Sequence, residues 1–148
     1  MTKLKLKGSG MNEHVTERRT VLALIAHDGK KAEMIAFARR HKQQLQRVSL
    51  VATGTTGHRI QKEVGLDVER VLSGPLGGDA MIAARVAQSA IDAVIFLVDP
   101  LNPHPHEPDI QGLLRVCNVH NVPLATNLAT AEMLIARLTG RGSGEESV

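Results

Sequence analysis

The sequence predicts a single-domain α/β fold: a doubly wound, five-stranded parallel sheet with helices on both faces. Five short apolar runs alternate along the chain with segments of helical spacing, and this alternation is typical of parallel strands joined by right-handed crossovers. The first run is continuously apolar, as expected for a central strand that is buried on both faces. A length of 148 residues suits one domain with a substantial core.

The predicted strands are rich in Val, Leu, Ile and Ala, and they cover residues 20–26, 48–52, 68–72, 93–98 and 122–127. One helix is predicted to follow Lys31, and a short helix is predicted to follow residues 53–57 and to end near residues 64–65. Further helices are predicted over residues 80–90, 109–120 and 129–138. We expect residues 1–19 to form a polar N-terminal arm and residues 20–138 to form the domain. Residues 139–148 are expected to be a flexible C-terminal tail.

The composition argues against several classes of protein. The chain has two Phe, no Trp and no Tyr, so it lacks the aromatic faces on which single-stranded nucleic acid stacks. Its net charge is +3, and its basic residues form no recognition stripe. We therefore expect no nucleic-acid partner. No signal peptide is apparent, and the longest apolar run is too short to span a bilayer. We therefore expect a cytoplasmic protein with no membrane partner, in which the lone Cys117 is a packing residue.

Polar residues cluster after the carboxyl ends of the first four predicted strands. Loops at that edge of a parallel sheet converge on one crevice, near the point where the strand order reverses. Residues that are far apart in sequence are therefore expected to be neighbours. The clusters are His27, Asp28 and Lys31; residues 53–57; residues 73–79; and Asp99 with His104 and His106.

The segment from Ser73 to Asp79 contains three glycines and a proline, and it is predicted to be a loop that leads into a helix. Backbone N–H groups at a helix N-terminus can hold an anion, and Asp79 places a carboxylate at the end of this loop. Two interpretations are open. Asp79 acts chemically on a molecule that the loop holds, or it caps the helix that follows.

Residues 53–57, with the sequence Thr-Gly-Thr-Thr-Gly, can form a phosphate-binding nest or a plain turn with capping threonines. The spacing fits neither a Walker motif nor a dinucleotide-binding fingerprint, and we favour phosphate. Lys31 would supply the positive charge that such a nest lacks. The histidines fit no zinc spacing, so we expect no metal and interpret His27 and His106 as neutral hydrogen-bond donors to a developing oxyanion.

A phosphate pocket, one carboxylate base and histidine donors together suit one type of reaction. They fit proton abstraction next to the carbonyl of a small phosphorylated ketone. The carboxylate takes the proton and an imidazole stabilises the resulting enediolate. This step needs no cofactor, and we expect none.

The chain also resembles the methylglyoxal synthase family from about residue 20 to residue 138. The resemblance rests on motifs that occur in the same order: Ala-His-Asp at residues 26–28 with Lys31, Ala-Thr-Gly-Thr-Thr-Gly at 52–57, Leu-Ser-Gly-Pro-Leu-Gly-Gly-Asp at 72–79, Asp-Pro-Leu-Asn at 99–102, Pro-His-Glu-Pro-Asp at 105–109, and Ala-Thr-Asn at 125–127. Several long motifs in one order are much more specific than any one of them alone.

The resemblance implies a lyase that converts dihydroxyacetone phosphate to methylglyoxal and inorganic phosphate. It implies that Asp79 is the catalytic base and that His106 contacts the substrate oxygens and helps to move protons. Supporting carboxylates are implied at Asp28, Asp99 and Asp109. Substrate and phosphate contacts are implied at His27, Lys31, Thr53, Gly54, Thr55, Thr56, Ser73 and Gly74. The resemblance also implies a homohexamer that responds allosterically to inorganic phosphate.

Two other functions share part of this pattern. The same fold and nest occur in a regulatory domain of carbamoyl-phosphate synthetase, so a phosphate- or nucleotide-sensing module is the alternative. Triose phosphate isomerisation begins with the same proton transfer, but its intermediate goes on to a different product. A sensing module needs the nest but not Asp79 with His106, and the synthase is therefore favoured.

Overall fold

A computed structural model describes residues 18–101 and 110–144 of the chain. It confirms the predicted α/β fold, because five parallel strands form one sheet in the order β3-β2-β1-β4-β5. The strands are β1 (Val21–Ala26), β2 (Ser49–Ala52), β3 (Val68–Arg70), β4 (Ala93–Leu97) and β5 (Leu124–Ala125).

The α-helices of the described ranges connect these strands and follow the last of them. They are α1 (Lys31–Arg40), α2 (Lys42–Leu45), α3 (Gly54–Arg59), α4 (Gly78–Ala87), α5 (Ile110–Val119) and α6 (Leu128–Gly144). Short 3₁₀ turns occupy Asp28–Lys30 and Gly74–Leu76, and a π-helical turn occupies Ile60–Val64. Within the described ranges no helix has the length and apolar character that a membrane span requires.

The core consists of two hydrophobic clusters, one on each face of the sheet. Successive residues of a strand point to opposite faces, so Leu22 and Leu24 join one cluster while Ala23 and Ile25 join the other. The first cluster includes Met34, Phe37, Leu45 and Ile135, and the second includes Ile82, Val86, Leu113 and Cys117. Strand β1 is thus covered on both sides, as its continuous apolar sequence predicts.

The strand order reverses at β1, which pairs with β2 on one side and with β4 on the other. Such a reversal opens a crevice beyond the carboxyl ends of the two separating strands. The pairing with β4 continues one residue past β1, because the His27 N–H donates to the Leu97 carbonyl oxygen at 3.1 Å. The loops after β1 and β4 are therefore held side by side, where the sequence predicts the site.

Strands β3 and β5 are shorter than predicted by more than one residue. Strand β3 ends at Arg70, because the Leu72 carbonyl accepts a hydrogen bond from the Gly54 N–H (3.2 Å) and the chain turns into the following loop. Strand β5 covers only Leu124–Ala125 of the six predicted residues. Backbone hydrogen bonds of the Val94 N–H to Pro123 and of the Val98 N–H to Thr126 still hold the flanking residues against β4.

Helix α6 runs to Gly144, whereas the sequence predicts an end at residue 138. Thr139 is buried, and its hydroxyl donates to the Ile135 carbonyl oxygen at 2.7 Å. The Arg47 guanidinium donates to the Thr139 carbonyl oxygen at 3.0 Å. These contacts attach the last turns of the helix to the domain and explain why it continues past residue 138.

A directed chain of hydrogen bonds joins α6 to the turn between α1 and α2. Because the Thr139 hydroxyl gives its proton to Ile135, it accepts from Gln44 Nε2 at 3.2 Å. This orients Gln44 Oε1 toward His41 Nδ1, at 2.6 Å. On the other side of the ring, His41 Nε2 lies 2.7 Å from Glu132 Oε1. Both ring nitrogens of His41 thus lie within hydrogen-bond distance of side-chain oxygens, one on α2 and one on α6.

We expect Glu132→Gln to lower the free energy of unfolding at neutral pH and to lower it less in acid. The hydrogen bond from Arg40 at 2.8 Å is the main cause that lowers the pKa of the Glu132 carboxyl below its ordinary 4.5, and His41 acts in the same direction. A carboxyl with a lowered pKa stabilises the fold above its unfolded pKa, and this contribution is lost as the pH falls through the folded value. Urea unfolding at about pH 7 and about pH 3 measures the difference.

The matched control is Glu33→Gln, since Glu33 forms a surface pair with Lys30 at 3.2 Å and such exposed pairs contribute little to stability. We expect Glu132→Gln to lower the free energy of unfolding more than the control at neutral pH. An equal loss at both pH values would contradict the prediction.

Candidate active site

Four loops follow the carboxyl ends of β1, β2, β3 and β4, and the predicted site residues belong to them. The structure describes the first three loops and the start of the fourth. His106 and Asp109 lie outside the described residues, as does His104. Within the described residues no three His, Cys, Asp or Glu side chains are grouped so that they could hold a metal ion.

His27 is buried directly after β1, and hydrogen bonds orient its ring. The Asp99 backbone N–H donates to His27 Nδ1 at 2.9 Å, so Nδ1 is the acceptor nitrogen. In the neutral ring the proton is therefore on Nε2. The ring of Phe96 packs edge-on against the imidazole, with the centroids 5.3 Å apart. His27 is thus fixed as an Nε2–H donor, the state that the sequence analysis expects for an oxyanion contact.

Lys31 and Asp28 form an ion pair at the mouth of the first loop. Lys31 Nζ lies 2.9 Å from Asp28 Oδ1 and donates to the carbonyl oxygen of Ala26, the last residue of β1, at 3.0 Å. The Lys31 side chain is 14% exposed, whereas that of Asp28 is 77% exposed. The ammonium group is therefore held close to the sheet, and Asp28 already offsets part of its charge.

Asp99 connects the fourth loop to the first. Its carboxylate lies so close to Gly29 that a Cβ atom at residue 29 would overlap it. Together with the hydrogen bond from the Asp99 N–H to His27, this contact packs the two loops tightly at the strand reversal. Glycine at position 29 is what allows the carboxylate to take this place.

Helix α3 begins in the second loop, and its first turn carries the predicted phosphate contacts. Thr53 is its N-cap residue, is buried, and makes no capping hydrogen bond with its side chain. Gly54 lies against the third loop, because a Cβ atom there would be 3.1 Å from the Ser73 nitrogen. Thr55 is exposed, and Thr56 is 1% exposed.

The hydroxyl of Thr56 is a buried polar atom with no hydrogen-bond partner among the described residues. An unpaired buried hydroxyl costs free energy. Its place in the first turn of α3, beside Thr53 and Gly54, suits a site in which the partner is a bound molecule.

The third loop brings Asp79 to the start of α4. Residues Gly74–Leu76 form a 3₁₀ turn, Gly77 adopts a φ of +100° as the N-cap residue, and α4 begins at Gly78. Asp79 is therefore the second residue of the helix, and the alternative interpretation that it is the N-cap is wrong. The predicted helix start at residue 80 is two residues late, since glycines rarely indicate a helix.

Gly78 packs the start of α4 against both preceding loops. A Cβ atom at this position would overlap the Leu72 carbonyl oxygen and would lie 3.0 Å from Thr53 Cγ2. Only a residue without a side chain lets the backbones approach this closely. The first turn of α4, which contains Asp79, therefore packs against the start of α3 and the loop after β3.

A groove of about 630 Å³ lies between α3, the end of β3 and α4. It is lined by Gly54, Thr55 and Ser73, which the sequence analysis assigns to the site, and also by His58 and Arg70. Sequence reasoning missed these two basic residues. The period-two alternation of a strand could have indicated that Arg70 lies on the same face as Val68, but a three-residue strand gives little pattern to use.

Known proteins resemble this chain over most of its length. Residues 33–126 match the family model described as MGS-like domain. The methylglyoxal synthase of a Thermus thermophilus strain is 69% identical over 115 residues, which are 78% of this chain and 91% of that protein. The chain belongs to the methylglyoxal synthase family.

Further members of the methylglyoxal synthase family are also similar. The enzyme of Ralstonia nicotianae is 60% identical over 121 residues, which are 82% of this chain and 90% of that protein. The crystal structure of methylglyoxal synthase from Elizabethkingia anophelis NUHP1 matches with a TM-score of 0.78 and 42% identity, over 80% of this chain and 78% of that chain. The predicted family is confirmed, and the roles of individual residues stay predictions.

Proposed function

We propose that this protein is a lyase that converts dihydroxyacetone phosphate to methylglyoxal and inorganic phosphate. One observation carries the proposal: Gly78 presses the first turn of α4, with Asp79, against Thr53 and the Leu72 carbonyl. The turn whose second residue is Asp79 therefore packs against the loops of the predicted phosphate nest, in a chain that belongs to the methylglyoxal synthase family. Neither the family match nor the relatives named above favour the phosphate-sensing alternative.

In the first step Asp79 removes a proton from the hydroxymethyl carbon of the substrate, and the electron pair left behind forms an enediolate. As the C–O bond to phosphate breaks, the hydroxyl on the deprotonated carbon gives its proton to the departing phosphate and becomes the aldehyde carbonyl, while the carbon–carbon double bond shifts to the carbon that carried the phosphate. Inorganic phosphate leaves, and the remaining enolate takes on carbon the proton that was removed in the first step to become methylglyoxal. Asp79, the proposed base, lies in the first turn of α4.

The developing oxyanion of the enediolate needs hydrogen-bond donors that are already in place. His27 is proposed as one such donor through its Nε2–H, because its Nδ1 accepts from the Asp99 backbone N–H. His106 is proposed as the second histidine, which contacts the substrate oxygens and helps to move protons. Asp28, Asp99 and Asp109 are proposed as supporting carboxylates that position these groups.

The phosphate group is proposed to bind at residues 53–56 and at Ser73 and Gly74, with Lys31 nearby. Two of the three ammonium protons of Lys31 are used by Asp28 and Ala26, so one remains for the substrate. Phosphate leaves fastest when its C–O bond stands perpendicular to the enediolate plane, since orbital overlap is then largest. The two loops are proposed to hold the bond in this orientation, which favours elimination over isomerisation.

Thr56→Val should separate phosphate binding from stability. We expect the free energy of unfolding to stay unchanged or to rise by up to about 1 kcal/mol, because the substitution removes a buried hydroxyl that has no partner among the described residues. We expect the affinity for inorganic phosphate to fall by about five- to tenfold, because the hydroxyl is proposed to donate to it. Urea unfolding and titration calorimetry measure the two quantities.

The control for this substitution is Thr130→Val at the start of α6. The Thr130 hydroxyl donates to Asn127 Oδ1 at 2.9 Å and lies on an exposed surface. This variant should lose a little stability and bind phosphate normally. Reduced stability with unchanged phosphate affinity in Thr56→Val would overturn the assignment of Thr56.

The proposed reaction is tested by incubating the purified protein with dihydroxyacetone phosphate and measuring methylglyoxal and free phosphate together. Equal amounts of both products, formed well above the spontaneous rate, would support the synthase. Glyceraldehyde 3-phosphate without free phosphate would indicate an isomerase. Phosphate binding without any product would indicate a sensing module.

The same proposal extends to assembly, regulation and location. We propose a homohexamer whose activity responds to inorganic phosphate, located in the cytoplasm. Light scattering of the purified protein measures the oligomer, and the dependence of rate on substrate concentration, with and without added phosphate, measures the response. A monomer with a simple hyperbolic rate curve under both conditions would contradict assembly and regulation together.

A further inference from the structure

We propose that Arg70 is a further substrate-binding residue, whose guanidinium supplies positive charge to the phosphate group at the loops after β2 and β3. The inference rests on the proposed function and adds to its site a residue that the motifs did not include. Three observations carry it: the position of Arg70 in the sheet, the path of its side chain, and the pairing of the cations around it.

The sheet places Arg70 beside the predicted nest. In the register of the parallel pair, Arg70 is the partner of Ala52, the last residue of β2 before Thr53. The face of the strand is set by its neighbours. Val68 belongs to the core cluster that includes Ile60, whereas Glu69 pairs with Arg85 of α4. Alternation therefore directs Arg70 to the α3 side of the sheet.

The side chain of Arg70 runs across α3 at a glycine. A Cβ atom at Gly57 would lie 2.7 Å from Arg70 Cγ and 3.2 Å from Arg70 Cδ. The aliphatic stem therefore lies directly on the α3 backbone, one turn beyond Thr53. From there Arg70 lines the groove that Gly54, Thr55 and Ser73 also line. A substrate phosphate bound at these three residues would share the groove with Arg70.

The pairing of the neighbouring cations distinguishes Arg70 from them. Arg59 and Arg85 are each bonded to a carboxylate at 2.7 Å, to Glu63 and Glu69 respectively. In the part of the chain that the structure describes, the Arg70 guanidinium forms no ion pair and no hydrogen bond with protein groups. An arginine that keeps its donors available beside a set of backbone N–H groups is suited to a phosphate dianion.

Lys31, the cation that the sequence analysis expects for this role, is already engaged. Its ammonium group is bonded to Asp28 Oδ1 at 2.9 Å and to the Ala26 carbonyl at 3.0 Å. Lys31 thus brings a charge that a carboxylate partly neutralises, on the side of the site near β1. Arg70, the last residue of the edge strand β3, would provide a second cation on the opposite side of the site.

The first test compares steady-state kinetics of Arg70→Met, Arg70→Lys and a matched control, Arg137→Met, with those of the parent protein. Arg137 lies exposed on α6, so its replacement makes the same change in net charge away from the groove. We expect Arg70→Met to raise KM for dihydroxyacetone phosphate by about five- to twentyfold with kcat within about twofold, since uniform binding is lost. Arg70→Lys should recover most of the affinity. A fall in kcat with KM unchanged, or a KM equal to that of Arg137→Met, would overturn the inference.

The second test is independent of turnover. Titration calorimetry with inorganic phosphate on the same proteins should show Kd raised about five- to twentyfold in Arg70→Met and unchanged in Arg137→Met. Equal phosphate affinity in these two variants would overturn the role of Arg70. If the parent protein formed no methylglyoxal, the proposed reaction would fail, and the calorimetric comparison would still decide whether Arg70 binds phosphate.

Discussion

Asp79→Asn is expected to lower kcat for methylglyoxal formation by about 10²- to 10⁴-fold, the range that a positioned general base contributes. The amide has nearly the same shape but cannot take a proton from carbon. The proposed phosphate nest belongs to the loops after β2 and β3, and the substitution leaves the contact between the α4 backbone and Thr53 in place. Inorganic phosphate should therefore bind within about twofold of the parent affinity. A coupled assay of methylglyoxal and phosphate calorimetry measure the two effects.

Asp67→Asn is the matched control, because Asp67 is exposed and precedes β3, at the amino-terminal end of the strands and away from the proposed site. It should leave both kcat and phosphate affinity close to the parent values. If Asp79→Asn kept more than about a tenth of the parent kcat, a base contribution of this size would be contradicted. The assignment of Asp79 would then have to be abandoned.

Gly78→Ala is expected to impair stability and catalysis together. The new methyl group would overlap the Leu72 carbonyl oxygen, so the first turn of α4 must move away from the loop after β3. Overpacking of this kind costs about 1–3 kcal/mol. Displacement of a catalytic group by about 1 Å can cost on the order of 100-fold in rate. Urea unfolding and kcat/KM measure the two losses.

Gly140→Ala provides the control for the glycine substitution. Gly140 lies within α6, and a Cβ atom there would meet nothing within 4 Å. We expect this variant to gain about 0.5–1 kcal/mol, the usual advantage of Ala over Gly in a helix, with unchanged activity. Parent-like stability and activity in Gly78→Ala would show that the contact between α4 and the two loops is not required.

The sequence is informative wherever a feature depends on a local pattern. The apolar run at Val21–Ala26 indicates a strand buried on both faces, and β1 is covered by both core clusters. The rule that loops converge beyond parallel strands correctly places His27 beside Asp99 and Thr53 beside the third loop. The helical spacing of apolar residues indicates the helices, although their ends vary by several residues.

Features that depend on contacts distant in sequence could not be predicted. The extension of α6 requires Arg47 and Gln44, about 90 residues earlier, to reach Thr139. The tautomer of His27 depends on a backbone N–H that lies 72 residues away. Arg70 looks like an ordinary surface residue until the register opposite Ala52 and the glycine at position 57 are known.

The hydrogen bond from Asp99 to His27 has a consequence for how this site tolerates mutation. The donor is a main-chain N–H, and every amino acid except proline carries that group. Side chains at position 99 can therefore change while the proton of the neutral imidazole stays on Nε2. The proposed role of His27 as a donor depends on the path of the backbone, so we expect it to persist when substitutions alter the carboxylates around it.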